Sequence, residues 1–261
     1  MNELETKVNE TVLSGIAPLQ QRFVGVFDGY VECPEAYIAH TQLFSSVSGT
    51  IDNVRDLIDN DEIGVRVSIR NLTHGIRTMQ SLRDNGRTTS FIGIEASASL
   101  LKVEDVSVLL EEVVGKERFS EPERICFIFT PSIMSEENDI VKKGLSDVKA
   151  LGFMIAIAPV NADFAVSAMM DLPVDYVILS KDLTALATDR NKTGVLAAMI
   201  GLLHAMRIGV IADGVNDDDE IRELTTVECF GFIPTEEYTG EFLLKAGERT
   251  MEDVLTDEEG V

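Results

Sequence analysis

The histidine and cysteine side chains, which often carry acid–base and nucleophilic chemistry, are few and scattered along this chain. The histidines His40, His74 and His204 fall on different predicted elements without metal-ligand spacing. The three cysteines are far apart, lack a Cys-x-x-Cys motif and have no evident histidine partner, so no zinc site or nucleophilic thiol is indicated. A Gly-x-Ser-x-Gly motif is also absent. These residues predict no nucleophilic catalysis.

An acidic run at Asn216–Glu220 is the densest group of oxygen ligands. It lacks the spaced ligands and the turn glycine of an EF-hand loop. Carboxylates at the start of a helix interact favourably with its positive end. We therefore predict that this run begins a helix and does not bind calcium.

The charge balance limits the classes of partner. The chain has 45 acidic and 22 basic residues and a formal net charge of −23, a field that repels nucleic acids and anionic membranes. The longest apolar run, Gly194–Met206, is too short to cross a bilayer, and the first residues form no secretion signal. We predict a cytoplasmic protein with reduced thiols, a solubilising acidic surface and no nucleic-acid or membrane partner; a basic protein partner is an alternative account of the acidic excess.

Short runs that are apolar throughout alternate with amphipathic segments from about residue 90 onward. Such runs are typical of parallel strands that are covered by helices on both faces. We predict six of these strands, with the sequences FIGIEAS, RICFIFT, FMIAIAP, YVILS, IGVIA and FGFIP. Upstream, RFVGVFDGYVE and EAYIAHTQLF predict two strands, and residues 62–86 predict a helix that ends at Asn-Gly.

Repeated strand–helix units form either a doubly wound sheet or a closed barrel. No strand is followed by G-x-G-x-x-G or by a Walker loop, which argues against a nucleotide-binding sheet. No internal repeat and no linker rich in Gly, Ser or Pro divides the chain. We predict one α/β domain over residues 1–245 and an acidic tail over residues 246–261.

Two stretches resemble the EAL-domain family, the phosphodiesterases that linearise cyclic di-GMP. In KALGFMIAIAPVNADFAVSAMMDLPVDYVILSKDL, Leu172–Asp175 stands at the family's Leu-Pro-x-Asp. In HAMRIGVIADGVNDDDEIRELTTVECFGFIP, Ala212–Val215 stands at its Ala-Glu-Gly-Val. With FIGIEASASLL and ERICFIFTPSIM, the resemblance covers residues from about 60 to 240. It implies a TIM-like (β/α)8 barrel of the EAL type with one antiparallel strand near the N-terminus.

The family hydrolyses its substrate with divalent cations that carboxylates hold at the C-terminal ends of several strands. The Glu-Ala-Leu motif that gives the family its name corresponds to Thr41-Gln42-Leu43 in this chain. The arginine that accompanies this motif in the family corresponds to Ser45. At the remaining positions the family residue is also replaced: Glu95 stands for the family's Asn and Ser180 for an Asp, and the other ligand and lysine positions carry Ile128, Pro131, Ala158, Pro159, Ile178 and Asn216. The resemblance thus implies that most of the phosphodiesterase residues are replaced.

Four polar residues stand at the implied barrel mouth, namely Glu95, Asn161, Ser180 and Asp213. We expect Glu95 and Asp213 to face each other there, with Asn161 or Ser180 nearby, and His40 is a further candidate for the mouth. Two carboxylates are fewer than a two-cation centre needs, and Ile or Pro side chains do not replace the hydration of a cation. We therefore expect no metal, no cofactor and no phosphodiesterase activity.

Inactive members of this family commonly bind other proteins, so the resemblance implies a regulatory or scaffolding module in bacterial signalling. Its partner is an unidentified protein, and homodimerisation is a further mode of contact. The alternative is a cyclic di-GMP receptor that binds without hydrolysis, although Ile233 stands at the family's Gln and Val160–Asp163 replaces its Gly-rich loop. A third hypothesis, an enzyme with repurposed barrel chemistry, lacks a nucleophile–base pair.

Overall fold

The computed structural model describes residues 19–29, 33–44, 51–53, 61–134 and 139–245. Within these ranges the strands are β1 (Leu19–Val26), β2 (Ala36–Phe44), β3 (Ile51–Asn53), β4 (Ile92–Glu95), β5 (Ile125–Phe129), β6 (Met154–Val160), β7 (Tyr176–Leu179), β8 (Gly209–Val215) and β9 (Gly231–Pro234). Their order is β1-β2-β4-β5-β6-β7-β8-β9, with β3 paired to β2.

The helices of the described ranges follow most of the strands. They are α1 (Asp61–Asp84), α2 (Ala98–Leu101), α3 (Val106–Glu117), α4 (Asp139–Ala150), α5 (Lys181–Thr184), α6 (Thr193–Ala205), α7 (Asp218–Thr226) and α8 (residues 236–245). This alternation arises because each apolar strand must be covered by a helix with an apolar face.

The predicted strands and the long helix are confirmed. All six apolar runs form strands, and β4, β5 and β9 are buried at every residue. The helix predicted over residues 62–86 is α1, and Gly86 after it has a positive φ of 71°. The antiparallel strand near the N-terminus is also confirmed, because β1 is antiparallel to β2. The short strand β3, antiparallel to β2, and helix α8 were not predicted.

Within the described ranges, one compact unit comprises residues 19–24, 37–157 (with the gaps given above) and 171–174. In it β2, β4 and β5 are parallel neighbours, and α1 packs against β4, α2 and α3. Helix α4 packs against α2, where a Cβ on Gly144 would collide with the backbone of Leu101. Glycine is therefore required for this helix contact.

The other compact unit comprises the described residues 25–29, 33–36, 158–170 and 175–245. Here β7, β8 and β9 are parallel, and Phe27 and Phe232 exchange two backbone hydrogen bonds of 2.9 and 3.0 Å. The ring of Phe242 on α8 lies 4.8 Å from that of Phe27 and 5.5 Å from that of Phe232. These edge-to-face contacts hold α8 on the sheet. The prediction of one domain over residues 1–245 stays a prediction, and the tail over residues 246–261 lies outside the described residues.

Candidate functional site

Two polar side chains lie side by side, one in the middle of β2 and the other at the end of β4. The parallel register pairs Ala39 with Ile94, so His40 and Glu95 are the next residues on the two strands. Nδ1 of His40 lies 3.1 Å from Oε1 of Glu95. The Glu95 side chain is 1% exposed and that of His40 is 31% exposed, so the carboxylate is buried and the imidazole reaches solvent.

The second carboxylate oxygen of Glu95 is also engaged. Oε2 accepts a hydrogen bond of 2.9 Å from the backbone N–H of Thr41. From α1, Nδ2 of Asn71 donates to Oγ1 of Thr41 and to the backbone carbonyl of Glu95, at 2.9 Å each. We call these four residues the His40–Glu95 network. It ties β2, β4 and α1 together with polar contacts, which a buried carboxylate requires.

A serine pair extends the polar contacts between α1 and the end of β4. Oγ of Ser68 accepts from the backbone N–H of Ser97 at 2.9 Å and donates to the carbonyl of Gly64 at 2.7 Å. Oγ of Ser97 in turn accepts from the N–H of Ser99 and caps α2. The loop after β4 is thereby fixed to α1.

The next strand end in this unit is apolar. The parallel register pairs Glu95 with Ile128 of β5, and Ile128 is 1% exposed. An isoleucine offers no oxygen or nitrogen to a ligand. The polar character of the site in this unit therefore comes from β2, from the end of β4 and from α1.

The other predicted site residues lie at strand ends of the second unit. The register pairs Leu179 with Ala212, so Ser180 and Asp213 are the next residues at the neighbouring ends of β7 and β8. The backbone N–H of Ser180 donates a hydrogen bond of 2.9 Å to the carbonyl of Val160, the last residue of β6. Asn161 follows directly and is exposed. The structure thus places Asn161, Ser180 and Asp213 at three successive strand ends; their role, and the expected approach of Asp213 to Glu95, stay predictions.

A glycine after Asp213 leaves room for a lysine. Gly214 has a φ of 81°, and a Cβ added there would collide with the side chain of Lys181. Both the positive φ and the close approach favour glycine. The glycine of the Ala212–Val215 motif is therefore explained by backbone geometry. The Lys181 stem lies against the Gly214 backbone beside Asp213.

Of the carried-over name-giving motif, Thr41 is fully buried and contacts Glu95, while Ser45 lies outside the described residues. His40, one residue earlier, is the β2 side chain that meets the Glu95 carboxylate. Asn71 was not predicted as a site residue. Its signal in the sequence is a polar residue three positions after Ser68, on the buried face of an amphipathic helix.

The exposed face of α1 carries His74 beside two arginines. Burial lowers the pKa of His74, and the like charges of Arg70 and Arg77 lower it further. The Arg77 guanidinium forms two hydrogen bonds of 2.8 Å with the Glu117 carboxylate. His74, Arg77, Thr78 and Ser81 line an open concavity of about 260 Å³ there. This face is separate from the His40–Glu95 network, because its residues point outward from α1.

The acidic run at Asn216–Glu220 begins α7, as predicted. Oδ1 of Asp217 accepts from the N–H of Glu220 at 2.8 Å, and Oε2 of Glu220 accepts from the N–H of Asn216 at 2.7 Å. The arrangement resembles a capping box, except that the Glu220 side chain accepts from the residue before the N-cap Asp217. Burial raises the pKa of the Glu220 carboxyl, although the Asn216 N–H opposes the shift.

The three thiols are free and differ in exposure. Cys33 is exposed, Cys126 is buried and Cys229 is partly buried. Burial raises the pKa of Cys229 to about 12. A thiol with this pKa is inert at neutral pH because the thiolate is the nucleophile.

Two absences within the described ranges concern metals and membranes. No three His, Cys, Asp or Glu side chains there come together in a way that could hold a metal ion. No helix in the part of the chain that the structure describes has the length and the apolar character to span a bilayer.

The strand order and helix alternation define an α/β protein of the TIM-barrel class. The EAL domain family model matches residues 51–232. The chain therefore belongs to the EAL domain family.

Solved EAL structures share the fold at low sequence identity. The structure of the EAL enzyme Bd1971 with cAMP and cyclic di-GMP bound superposes with a TM-score of 0.75 at 19% identity, over 94% of this chain and 68% of that one. The FimX EAL domain of Xanthomonas citri in complex with c-diGMP gives 0.73 at 11% identity, over 89% of this chain and 91% of that one.

A curated relative, an uncharacterised protein of Azorhizobium caulinodans, is 25% identical over 151 residues. The match covers 56% of this chain and 20% of the relative, so the chain spans about a fifth of that protein's length.

Proposed function

We propose that this chain is a catalytically inactive EAL-like domain that acts as a regulatory or scaffolding module in bacterial cyclic di-GMP signalling, through contact with a protein partner. The observation that carries the proposal is that protein groups contact both carboxylate oxygens of Glu95. Its buried carboxylate is bound on one oxygen by His40 and on the other by the Thr41 N–H. A carboxylate held in this way serves the protein's own structure.

The divalent cations that the family implies do not fit the residues of this chain. Divalent cations such as magnesium take oxygen ligands. At the strand-end positions that correspond to family ligands or to the family lysine, the chain carries the buried apolar side chains Ile128, Ala158 and Ile178. We therefore derive no hydrolytic step through a bound cation. Asp213 alone keeps an acidic side chain at a family ligand position.

The proposed partner is a protein because the other classes are disfavoured by charge. A net charge of −23 opposes approach to a nucleic acid or an anionic membrane. The proposed location is the cytoplasm. A rigid α/β framework with variable helices and loops is well suited to present a binding surface.

The second candidate function is a cyclic di-GMP receptor that binds without hydrolysis. It is favoured by the FimX EAL domain of Xanthomonas citri, whose structure holds c-diGMP. Two features of this chain weigh against it. Ile233, at the family's Gln position, is 5% exposed, and Val160–Asp163 stands in place of the Gly-rich loop.

Calorimetry with cyclic di-GMP, with and without magnesium or manganese, separates these functions. The proposal expects no binding tighter than about 10 μM, a Kd that corresponds to roughly −7 kcal/mol, and no linear product by chromatography. Binding without product would favour the receptor. Metal-dependent product formation would contradict both functions, and Asp213→Asn is the matched control that must abolish any hydrolysis that belongs to this chain.

A further inference from the structure

The outward side of α1 carries basic side chains in a stretch without acidic ones. Arg66, Arg70, His74 and Arg77 follow one another at intervals of three and four residues, which places them on one stripe of the helix. Three of them are exposed and Arg70 is half-buried. No Asp or Glu occurs over residues 63–83, although the chain has 45 acidic residues. We call these four residues the α1 basic stripe.

The open concavity of about 260 Å³ lies at the C-terminal half of this stripe and is lined by His74, Arg77, Thr78 and Ser81. Each of these four side chains can donate a hydrogen bond, through an imidazole, a guanidinium or a hydroxyl group. The charges of Arg70 and Arg77 act on His74 strongly enough to lower the pKa of its imidazole. The concavity is therefore rich in donors and lies in a positive local field.

A salt bridge from α3 orients the guanidinium of Arg77. Its Nε and Nη2 each donate a hydrogen bond of 2.8 Å to the Glu117 carboxylate. A guanidinium has five N–H groups, so three remain beyond the two that Glu117 accepts. The Arg77 side chain is 62% exposed, which leaves these donors accessible. Glu117 thus fixes the direction of the guanidinium, although its negative charge opposes an anion.

The donor set and the size of the concavity indicate its ligand. Guanidinium, imidazole and hydroxyl groups bind the oxygens of a phosphoryl group, which accepts several charge-assisted hydrogen bonds. A volume of about 260 Å³ is smaller than the roughly 300–1,000 Å³ of sites for larger ligands. A net charge of −23 repels an extended polyanion far more than a single group with about two negative charges. A lone phosphoryl group therefore fits better than a nucleic acid or an anionic membrane.

We infer that the concavity on the outer side of α1 binds the phosphoryl group of a phosphate monoester, with His74, Arg77 and Thr78 as donors. The monoester is a small molecule or a phosphorylated side chain of another protein, and both present the same doubly charged group. The site is separate from the His40–Glu95 network at the strand ends. The inference goes beyond the proposed function and does not depend on whether the domain has lost its chemistry.

Titration of the full chain with inorganic phosphate, followed by NMR of the imidazole and guanidinium signals, tests the inference. We expect saturable shifts at His74 and Arg77 with a Kd of about 1 mM or tighter. NaCl at the same ionic strength is the reference, because it screens charges without offering phosphoryl oxygens. A bound dianion favours the imidazolium form, so phosphate should raise the pKa of His74.

Arg70→Gln and Arg77→Gln should each raise the phosphate Kd by about fivefold or more, because each removes a positive charge at the concavity. Thr78→Val removes a hydroxyl and keeps the charge; it should raise the Kd by a smaller factor and serves if the arginine variants do not fold. Arg222→Gln is the matched control, since Arg222 is a 65% exposed arginine on α7. It should leave the phosphate Kd within about twofold.

A phosphoserine peptide and glycerol phosphate distinguish the two sources of the phosphoryl group. Tighter binding of the peptide assigns the site to a phosphorylated side chain, and tighter binding of glycerol phosphate assigns it to a small monoester. Equal binding shows that the site contacts the phosphoryl group alone.

Three results would each overturn the inference. The first is the absence of saturable shifts beyond those of NaCl, and the second is a phosphate Kd that Arg70→Gln and Arg77→Gln leave unchanged. The third is an unphosphorylated peptide that binds as tightly as its phosphorylated form. None of these results bears on hydrolysis or on cyclic di-GMP binding, so this inference and the proposed function fail independently.

Discussion

Oε1 of Glu95 lies 3.1 Å from Nδ1 of His40, and Oε2 of the same carboxylate accepts a hydrogen bond of 2.9 Å from the backbone N–H of Thr41, the next residue. One side chain thus joins β4 to two consecutive residues of β2. Because both carboxylate oxygens are used and the group is 1% exposed, removing it leaves buried donors without an acceptor.

Glu95→Ala should therefore destabilise the fold by about 1–3 kcal/mol, the cost of leaving buried polar groups unsatisfied. Urea unfolding followed by circular dichroism measures the loss. Glu112→Ala is the control, because the Glu112 side chain is 62% exposed and lies 3.8 Å from Lys116. That change should stay within about 0.5 kcal/mol. If Glu95→Ala and Glu112→Ala lower the free energy of unfolding equally, the buried hydrogen bonds of Glu95 do not stabilise the fold.

Asn71→Ala should lower the free energy of unfolding by roughly 1–3 kcal/mol, because its amide donates to Thr41 and to the Glu95 carbonyl. The two changes share the His40–Glu95 network, so the double variant with Glu95→Ala should lose less than the sum of the single losses. A coupling of at least about 0.5 kcal/mol is expected for residues in one network. Strict additivity in the same urea assay would contradict a connected network.

The strands could be predicted because each buried strand is a run of consecutive apolar residues. Ile125–Phe129 is apolar at every position and buried at every position. Strand β3 was missed because three residues, two of them polar, give no such pattern. Helix α8 was missed because Glu236, Glu237 and Gly240 obscure its apolar face, although Phe242 is fully buried.

The His40–Glu95 contact could not be predicted from the sequence, for a different reason. It joins residues 55 positions apart, and it depends on the register of two parallel strands. Periodicity shows which face of a strand is buried, but not which residue of another strand lies beside it. The resemblance located Glu95 at a strand end and His40 near the motif, yet their pairing follows only from the register of β2 and β4.

Arg70→Gln should raise the pKa of His74, because burial and then the positive charge of Arg70 hold that pKa below its ordinary value. NMR titration of the imidazole measures the change. A histidine with a lowered folded pKa binds fewer protons when folded, so its contribution to stability is present above the unfolded pKa, about 6.5, and is lost as pH falls through the folded value. Arg222→Gln, at an exposed arginine paired with Asp219, is the control and should leave the His74 titration unchanged.

The thiols should react in the order of their exposure. With a pKa of about 12, Cys229 is roughly one part in ten thousand thiolate at pH 8, whereas a thiol of ordinary pKa is substantially more ionised. Iodoacetamide labelling of the native chain, followed by peptide mass spectrometry, should modify the exposed Cys33 first and spare Cys126 and Cys229. Labelling in urea supplies the fully reactive reference. Cys229 reacting as fast as Cys33 in the native chain would rule out the burial that raises its pKa.

Asp217→Ala should destabilise the fold by about 1 kcal/mol, the usual cost of losing an N-cap side chain. Oδ1 of Asp217 satisfies the N–H of Glu220, which α7 itself cannot pair. Thermal unfolding measures the loss, and Asp217→Asn should restore most of it because an amide oxygen also caps. Asp219→Ala is the neighbouring control. This 67% exposed carboxylate pairs with the solvent-exposed Arg222 at 2.7 Å, so its loss should change stability by less than about 0.5 kcal/mol. If Asp219→Ala costs as much as Asp217→Ala, the acidic run acts through its total charge and not through the cap.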